Sequence, residues 1–416
     1  MPTWGERAES IIAPGLTVVR PVSDTSSVPP VTVEHFRDRF PLLGRRIYVN
    51  SCSQGALSRE VESAIAAFTE SWRAFGSPWD RWVGEVERLR TSFAASIGAD
   101  ADEVAVMPTA SAGITAIATA LGFDGERRDV VIGEFEFPTM AHVWLAQERR
   151  GARIAWVKAH GDALPIDAYA ARIDERTLIV PATHVCFRNG YRLDIPRLAS
   201  ICRERGAYLL LDDYQRTGIG PIDVHALGVD VLVTGALKYL LGPSGVAFLY
   251  VRRDLIDRIE PLSTGWFGRA DPFAFSLDRL DWSPSARRFE TGSPPVPNVY
   301  AAVAGIDLLQ TVGLAAIGHQ VRALVDRFSS GARMRGFDVA TPDDPTRRGP
   351  LVVIRSTDAA ELVRRLDGRG IIASARGTGL RVSFHAYNND QDVDAVLDAL
   401  DAEQVLVGRA SARPAV

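Results

Sequence analysis

The chain carries 47 basic residues, and all but Lys158 and Lys238 are arginine. Arginine stays cationic in proteins, whereas a desolvated lysine gives up its proton and becomes a nucleophile toward carbonyl carbon. Lys238 lies in TGALKYLLGPSG, residues 234–245. Upstream, AYLLLDDYQRTG closes an apolar run with Asp212 and Asp213. An amine able to form an imine, with a carboxylate nearby, would suit covalent chemistry on a carbonyl compound. A plain compositional bias toward arginine is the alternative, so the surrounding elements have to decide.

Those elements alternate. Apolar runs EVAVMPT, DVVIGEF, RIAWVKA, TLIVPATHV, AYLLLDD, DVLVTGA and GVAFLYVRR are separated by amphipathic stretches such as AGITAIATALG, PTMAHVWLAQERRG and DIPRLASICRERG. Short, continuous apolar strands between helices predict an α/β fold with a mostly parallel seven-stranded sheet covered on both faces. A long helix is expected from about 297 toward 333. After it, FDVATP, PLVVIRS, GIIASAR and LRVSFHAY, with helices near 358–369 and 390–403, predict a smaller α+β domain. The expected division is an N-terminal arm (1–44), a large domain (45–296), a small domain (297–408) and a tail (409–416). Ligands of such sheets bind beyond the carboxyl ends of the strands, where Asp212 and Lys238 fall.

Composition narrows the class. The 416 residues are 46% hydrophobic and 24% charged with a net charge of −4, ordinary for a soluble protein and without a field that would draw nucleic acid or a membrane. No stretch of 18 apolar residues predicts a membrane span, and MPTWGERAES lacks the pattern of a secretory signal. Cys52, Cys186 and Cys202 are odd in number and have no CxxC spacing, so neither a disulfide framework nor a metal site is expected, and the cytoplasm is the expected compartment.

A lysine and an aspartate at neighbouring strand ends suit pyridoxal 5'-phosphate. Lys238 would form the imine, and Asp212 would pair with the pyridinium nitrogen and keep it protonated. The phosphate needs an anion site. MPTASAGITAIATAL offers a helix N-terminus whose amides, with Ser111, could supply it. Phe137 follows another strand and would stack on a planar ring. Arg381, in TGLRVSFHAY, could grip a substrate carboxylate with both arms of its guanidinium.

From about residue 45 to 405 the chain resembles the class V aminotransferase family of fold type I pyridoxal-phosphate enzymes, which includes cysteine desulfurases, selenocysteine lyase, kynureninase and isopenicillin N epimerase. The strongest stretch is LLLDDYQRTGIGPIDVHALGVDVLVTGALKYLLGPSGVAFLYVRR, with its Asp-x-x-Gln, PIDV, LGVD, lysine and GPxG in order. ARRFETGSPPVP and LRVSFHAYNNDQDVDA resemble two further blocks. The resemblance implies that Lys238 holds the coenzyme and Asp212 its ring nitrogen. It implies that Gln215 bonds the phenolic oxygen, that Phe137 stacks on the ring, and that Ser111 with the backbone of Ala110 and Ala112 holds the phosphate. Ser293 in ETGSP would reach the phosphate of a homodimer partner. Arg381, and Asn50 in YVNSCSQG, would meet a small amino-acid substrate.

The departures are informative. The family's Ser-x-His-Lys is here Gly235-Ala236-Leu237-Lys238, and Thr234 is the candidate to replace the missing serine. The loop SARGTGLR lacks the desulfurase cysteine, so a persulfide mechanism is disfavoured. Cys52 reads as a packed thiol. Met140 stands where kynureninases carry aspartate, so kynurenine hydrolysis is disfavoured as well. The expectation is a lyase that cleaves a Cβ–heteroatom bond, C–S above all, of an amino acid or cysteine conjugate. The alternatives are an aminotransferase or other Cα chemistry such as decarboxylation, oxidative deamination or epimerisation, and a catalytically silent binding protein of the same fold.

Overall fold

The computed structural model describes residues 32–410. Most of the expected N-terminal arm, and positions 411–416 of the expected tail, lie outside the described residues. The seven apolar runs form β2 (Val104–Met107), β3 (Asp129–Gly133), β4 (Arg153–Val157), β5 (Thr177–Thr183), β6 (Tyr208–Asp212), β7 (Val231–Gly235) and β8 (Ala247–Val251). They make one seven-stranded sheet in the order β2-β8-β7-β6-β5-β3-β4. Pairing is parallel from β4 through β3, β5 and β6 to β7, and β8 runs antiparallel to both β7 and β2. The expected mostly parallel α/β sheet is the observed one. Every residue of β2, β3, β7 and β8 is buried, which is why these strands read as continuous apolar runs, and edge strand β4 is the more exposed one.

Because β8 alone is reversed, the carboxyl ends of β2, β3, β5, β6 and β7 share one edge of the sheet. Thr109–Ser111, Phe137, Thr183, Asp212 and Lys238 all lie at or just beyond that edge.

The C-terminal part carries a three-stranded sheet, β11 (Ser374–Arg376), β12 (Gly379–Ser383) and β9 (Leu351–Arg355), with helices Ala359–Gly368 and Asp390–Asp401. Residues 47–50, expected at the start of the large domain, pair with this part instead. Strand β1 (Ile47–Tyr48) runs parallel to β10 (Ile371–Ile372), and Asn50 bridges Ser383. The single helix expected from 297 to 333 is two, Val296–Val312 and Leu314–Met334, bent by 82°. Gly313 makes the break at φ 91°, where a side chain would be strained. Among the described residues no single helix is long and apolar enough to cross a membrane.

The edge of the sheet is locked by one buried ion pair. Arg90, 2% exposed on helix Trp79–Ser96, donates to Glu290 Oε1 (2.6 Å) and to the carbonyl of Val104 (2.7 Å). The same Glu290 oxygen accepts from Val106 N–H at 2.8 Å, so β2, the helix and the ETGSP segment meet at one carboxylate. Removing one partner leaves the other charge buried and uncompensated. Arg90→Met should therefore lower the unfolding free energy by about 3–5 kcal/mol in chemical denaturation, without a change in m-value.

Candidate active site

A cavity of about 350 Å³ opens at the carboxyl edge of the sheet. Lys238, Asp212, Gln215, Phe137, Ala110, Ser111 and Arg381 all line it, joined by Cys52, Ser53 and Tyr214. They come from six separated segments. The loop bearing Lys238 can press against the N-terminal segment because Gly55 has no side chain. A Cβ there would sit 2.4 Å from the Lys238 carbonyl oxygen. The approach is held by Gly55 N–H donating to the Leu237 carbonyl at 2.7 Å. On the other side His385 Nε2 donates to the Tyr239 carbonyl at 3.1 Å, and Nδ1 accepts from Ala386 N–H, which fixes the neutral tautomer. Burial lowers the His385 pKa to about 4, so the contact holds without charge across the physiological range.

Of the two aspartates at the end of β6, the fold gives each one task. Asp213 is fully buried, accepts from Thr217 Oγ1 (2.5 Å) and pairs with His184 Nδ1 (2.5 Å), so it braces the strand ends. Asp212 points into the cavity and accepts from Tyr214 N–H at 3.0 Å. Burial raises its pKa, against the opposing pull of that hydrogen bond and of Lys238. Burial likewise lowers the Lys238 pKa to about 8, outweighing the attraction of Asp212, while Arg381 and Arg376 push it the same way. Desolvation wins at both groups, so each is moved toward its neutral form. The other lysine, Lys158, is exposed and pairs with Glu134 at 2.7 Å, an ordinary surface role.

Arg381 is 1% exposed and is held wholly by neutral oxygens. It donates to Ser53 Oγ (2.7 Å), the Phe187 carbonyl (3.0 Å) and Ser374 Oγ (3.2 Å). A buried guanidinium fixed in this way keeps its charge for an incoming carboxylate. Phe137 is 44% exposed at the cavity wall, with Phe187 edge-on at 5.0 Å.

Four expected residues do not line the cavity. Ala112 N–H is taken by the helix cap Thr109 Oγ1 at 3.0 Å, so the amides left for an anion at this terminus are those of Ala110 and Ser111. Thr234 is buried within β7, Ser293 is exposed on its loop, and Asn50 sits behind Cys52. Gly235 explains the missing serine differently from Thr234. A Cβ at 235 would lie 2.0 Å from the Tyr214 phenolic oxygen. The phenol fills that space, and the Tyr214 ring lies 4.3 Å from Lys238 Nζ. Tyr214 was legible only as the x in Asp-x-x-Gln; no local pattern marks an aromatic that folds back over the lysine. Cys52, read as a packed thiol, is 1% exposed and also borders the cavity.

These residues fit pyridoxal phosphate. Gln215 Nε2 donates to the Cys52 carbonyl (3.2 Å) and keeps a second N–H, while its buried Oε1 has no protein partner. An amine, a buried carboxylate, an incompletely bonded amide, free helix amides and a partly exposed aromatic face are the contacts that the coenzyme's aldehyde, ring nitrogen, phenolic oxygen, phosphate and ring require.

Comparison with known proteins agrees. The sequence pattern of the family Aminotransferase class-V matches residues 72–396. The "Uncharacterized aminotransferase YcbU" of Bacillus subtilis (strain 168) is 34% identical over 89% of this chain and 98% of its own. Kynureninase of Deinococcus radiodurans is 30% identical over 88% of this chain and 94% of its own. The apo structure of cysteine desulfurase from Thermococcus onnurineus NA1 superimposes with a TM-score of 0.81 at 22% identity, covering 89% of this chain and 97% of that one. With the family pattern spanning most of the sequence and the coenzyme's contacts gathered in one cavity, the chain belongs to the class-V aminotransferase family of fold type I, pyridoxal-phosphate-dependent enzymes.

Proposed function

We propose that the protein is a lyase that cleaves the Cβ–S bond of an amino acid or cysteine conjugate. When bound, pyridoxal phosphate supplies an electron sink that makes the substrate's Cα–H acidic. Asp212 keeps a proton at the ring nitrogen. Arg381 fixes the α-carboxylate, and through it the direction of the Cα–H bond. The Lys238 amine takes the Cα proton; a general base so placed contributes about 10²–10⁴-fold. The Cβ–S electron pair then leaves on sulfur, which takes up a proton, and water converts the released aminoacrylate to a keto acid and ammonia.

The observation that carries this reading is the inventory of proton carriers. Among the described lining residues Lys238 is the one amine, and Tyr214 lies against it with its phenol pKa raised by burial and then by Asp212. Epimerisation needs a carrier on each face of Cα, and elimination needs one. The desulfurase thiol has no counterpart in residues 374–381, and Cys52 is buried among Asn50, Ser383 and the Lys238 loop. Transamination also needs one base, and the likeness to a protein called an aminotransferase keeps it as the second reading. Ser293, exposed and away from its own cavity, supports a homodimer that shares its sites.

The deciding experiment gives the holoenzyme a panel of amino acids and S-substituted cysteines. Keto acid and ammonia should form without an added amino acceptor; a strict need for an acceptor would establish transamination, and no spectral response to any amine would mean a silent binder. Cys52→Ala should keep C–S cleavage, whereas a loss of about 10²-fold or more would point to thiol chemistry. In the apoprotein, coenzyme capture should speed up about ten-fold per pH unit and level off above about pH 8, because only the neutral amine adds to an aldehyde. Lys238→Arg should abolish it, and borohydride reduction of the holoenzyme should label Lys238. The Tyr214 phenol, which fills the space of the family's serine, is the further phosphate donor in this reading, so Tyr214→Phe should raise the coenzyme dissociation constant about ten-fold, the effect of losing one hydrogen bond to a charged group, while Thr234→Val should not.

A further inference from the structure

We propose that the substrate carries a second acidic group, at the end of its side chain, and that Arg376 receives it; this rests on the amino-acid chemistry proposed above. Arg376 and Arg381 lie on the same face of one hairpin, their cross-strand positions separated by one residue pair. Strand β11 ends at Arg376, the chain turns at Gly377 and Thr378, and β12 returns with Ser374 opposite Arg381 and Arg376 opposite Gly379. Both guanidiniums line the cavity that holds Lys238.

Two arginines of that cavity, Arg376 and Arg381, have no carboxylate within ion-pair distance among the described residues. Asp212 is the one carboxylate among the described lining residues, and it belongs to the ring nitrogen. The phosphate is allotted to the amides of Ala110 and Ser111. The α-carboxylate satisfies Arg381. Arg376 remains, with a hydrogen bond to its neighbour's carbonyl, Ala375 O, at 3.1 Å and no carboxylate within ion-pair distance among the described residues. Arg376 stands exposed at the cavity rim, where partial burial, and then the charge of Arg381, lower its pKa.

Arg376 also forms the threshold of a second, larger cleft of about 730 Å³. Lys158, Arg188 and Arg355 line it together with Glu134 and Asp162. Glu134 is committed to Lys158 at 2.7 Å, and Asp162 to Arg355. Arg188 rests on the Glu134 carbonyl and against the rings of Phe135 and Phe187, and like Arg376 it has no carboxylate within ion-pair distance among the described residues, so the cleft is positive where it meets the substrate cavity. A side chain that points from Cα past Arg376 ends in this field. Guanidinium forks match carboxylates, so the class indicated is amino acids and S-conjugates with a terminal carboxylate.

Calorimetry on the holoenzyme tests this without turnover. The probes are dicarboxylates from succinate to adipate, each against its isosteric monoamide. At least one diacid should bind about ten-fold more tightly than its monoamide. Arg376→Met should bring that ratio to about one, Arg376→Lys should restore part of it, and Arg381→Met should weaken diacid and monoamide alike. Equal binding of every pair by the wild-type protein, or a ratio unchanged in Arg376→Met, overturns the proposal. If no amino acid perturbs the bound coenzyme's spectrum, the amine chemistry fails, and the calorimetric ratio still judges Arg376 by itself.

Discussion

Desolvation of an opposite-charge pair governs this site. Asp212 and Lys238 would both be fully charged in water. Walled in by the strand ends and the Lys238 loop, each is shifted toward neutrality although the other attracts it. Unit charges about 4 Å apart attract by about 4 kcal/mol at an effective dielectric of 20; Asp212 and Lys238 lie beyond ion-pair distance of each other, and burying an ion costs several kcal/mol, so burial prevails. Pyridoxal phosphate would suit the pair on both sides: its ring nitrogen, when cationic, would give Asp212 a counter-charge, and its aldehyde would accept the neutral Lys238 amine.

That poise depends on close packing of segments far apart in the chain. Gly55 lets residues 50–55 lie on the carbonyl of Lys238, and Gly235 lets the Tyr214 phenol occupy the space a serine side chain would need. Strand β1 and Asn50 anchor the N-terminal segment to the C-terminal strands, so Ser53 can reach Arg381. One wall of the cavity is therefore supplied by the N-terminal segment held on the C-terminal strands.

The arginines illustrate how partners define roles. Arg90 and Arg381 are equally buried, yet Arg90 is neutralised by Glu290 and Glu87 and holds the edge of the sheet, whereas Arg381 rests on a carbonyl and two hydroxyls and keeps its charge for a ligand. Arg376 has less still. Whether the same side chain is spent on the fold or left open to a ligand depends on whether a carboxylate was placed beside it.

Much of this was legible in the sequence, because it rests on local pattern. Seven buried strands show as continuous apolar runs, and a lysine that arginine cannot replace stands out where 45 of 47 basic residues are arginine. The order Asp-x-x-Gln, lysine, GPxG marked the family, and Lys238, Asp212, Gln215, Phe137, Ser111 and Arg381 do meet in one cavity. What the sequence could not decide was anything set by distance across the chain. The helix expected over 297–333 breaks at Gly313. Asp212 was singled out from the sequence, but the task of Asp213, which pairs with His184, was not. The side chain that fills the space of the missing serine comes from Tyr214, twenty-one residues upstream. Periodicity and residue type report how a segment meets its immediate surroundings; which side chains share a volume, and so which charges remain unpaired, is decided only when those segments pack.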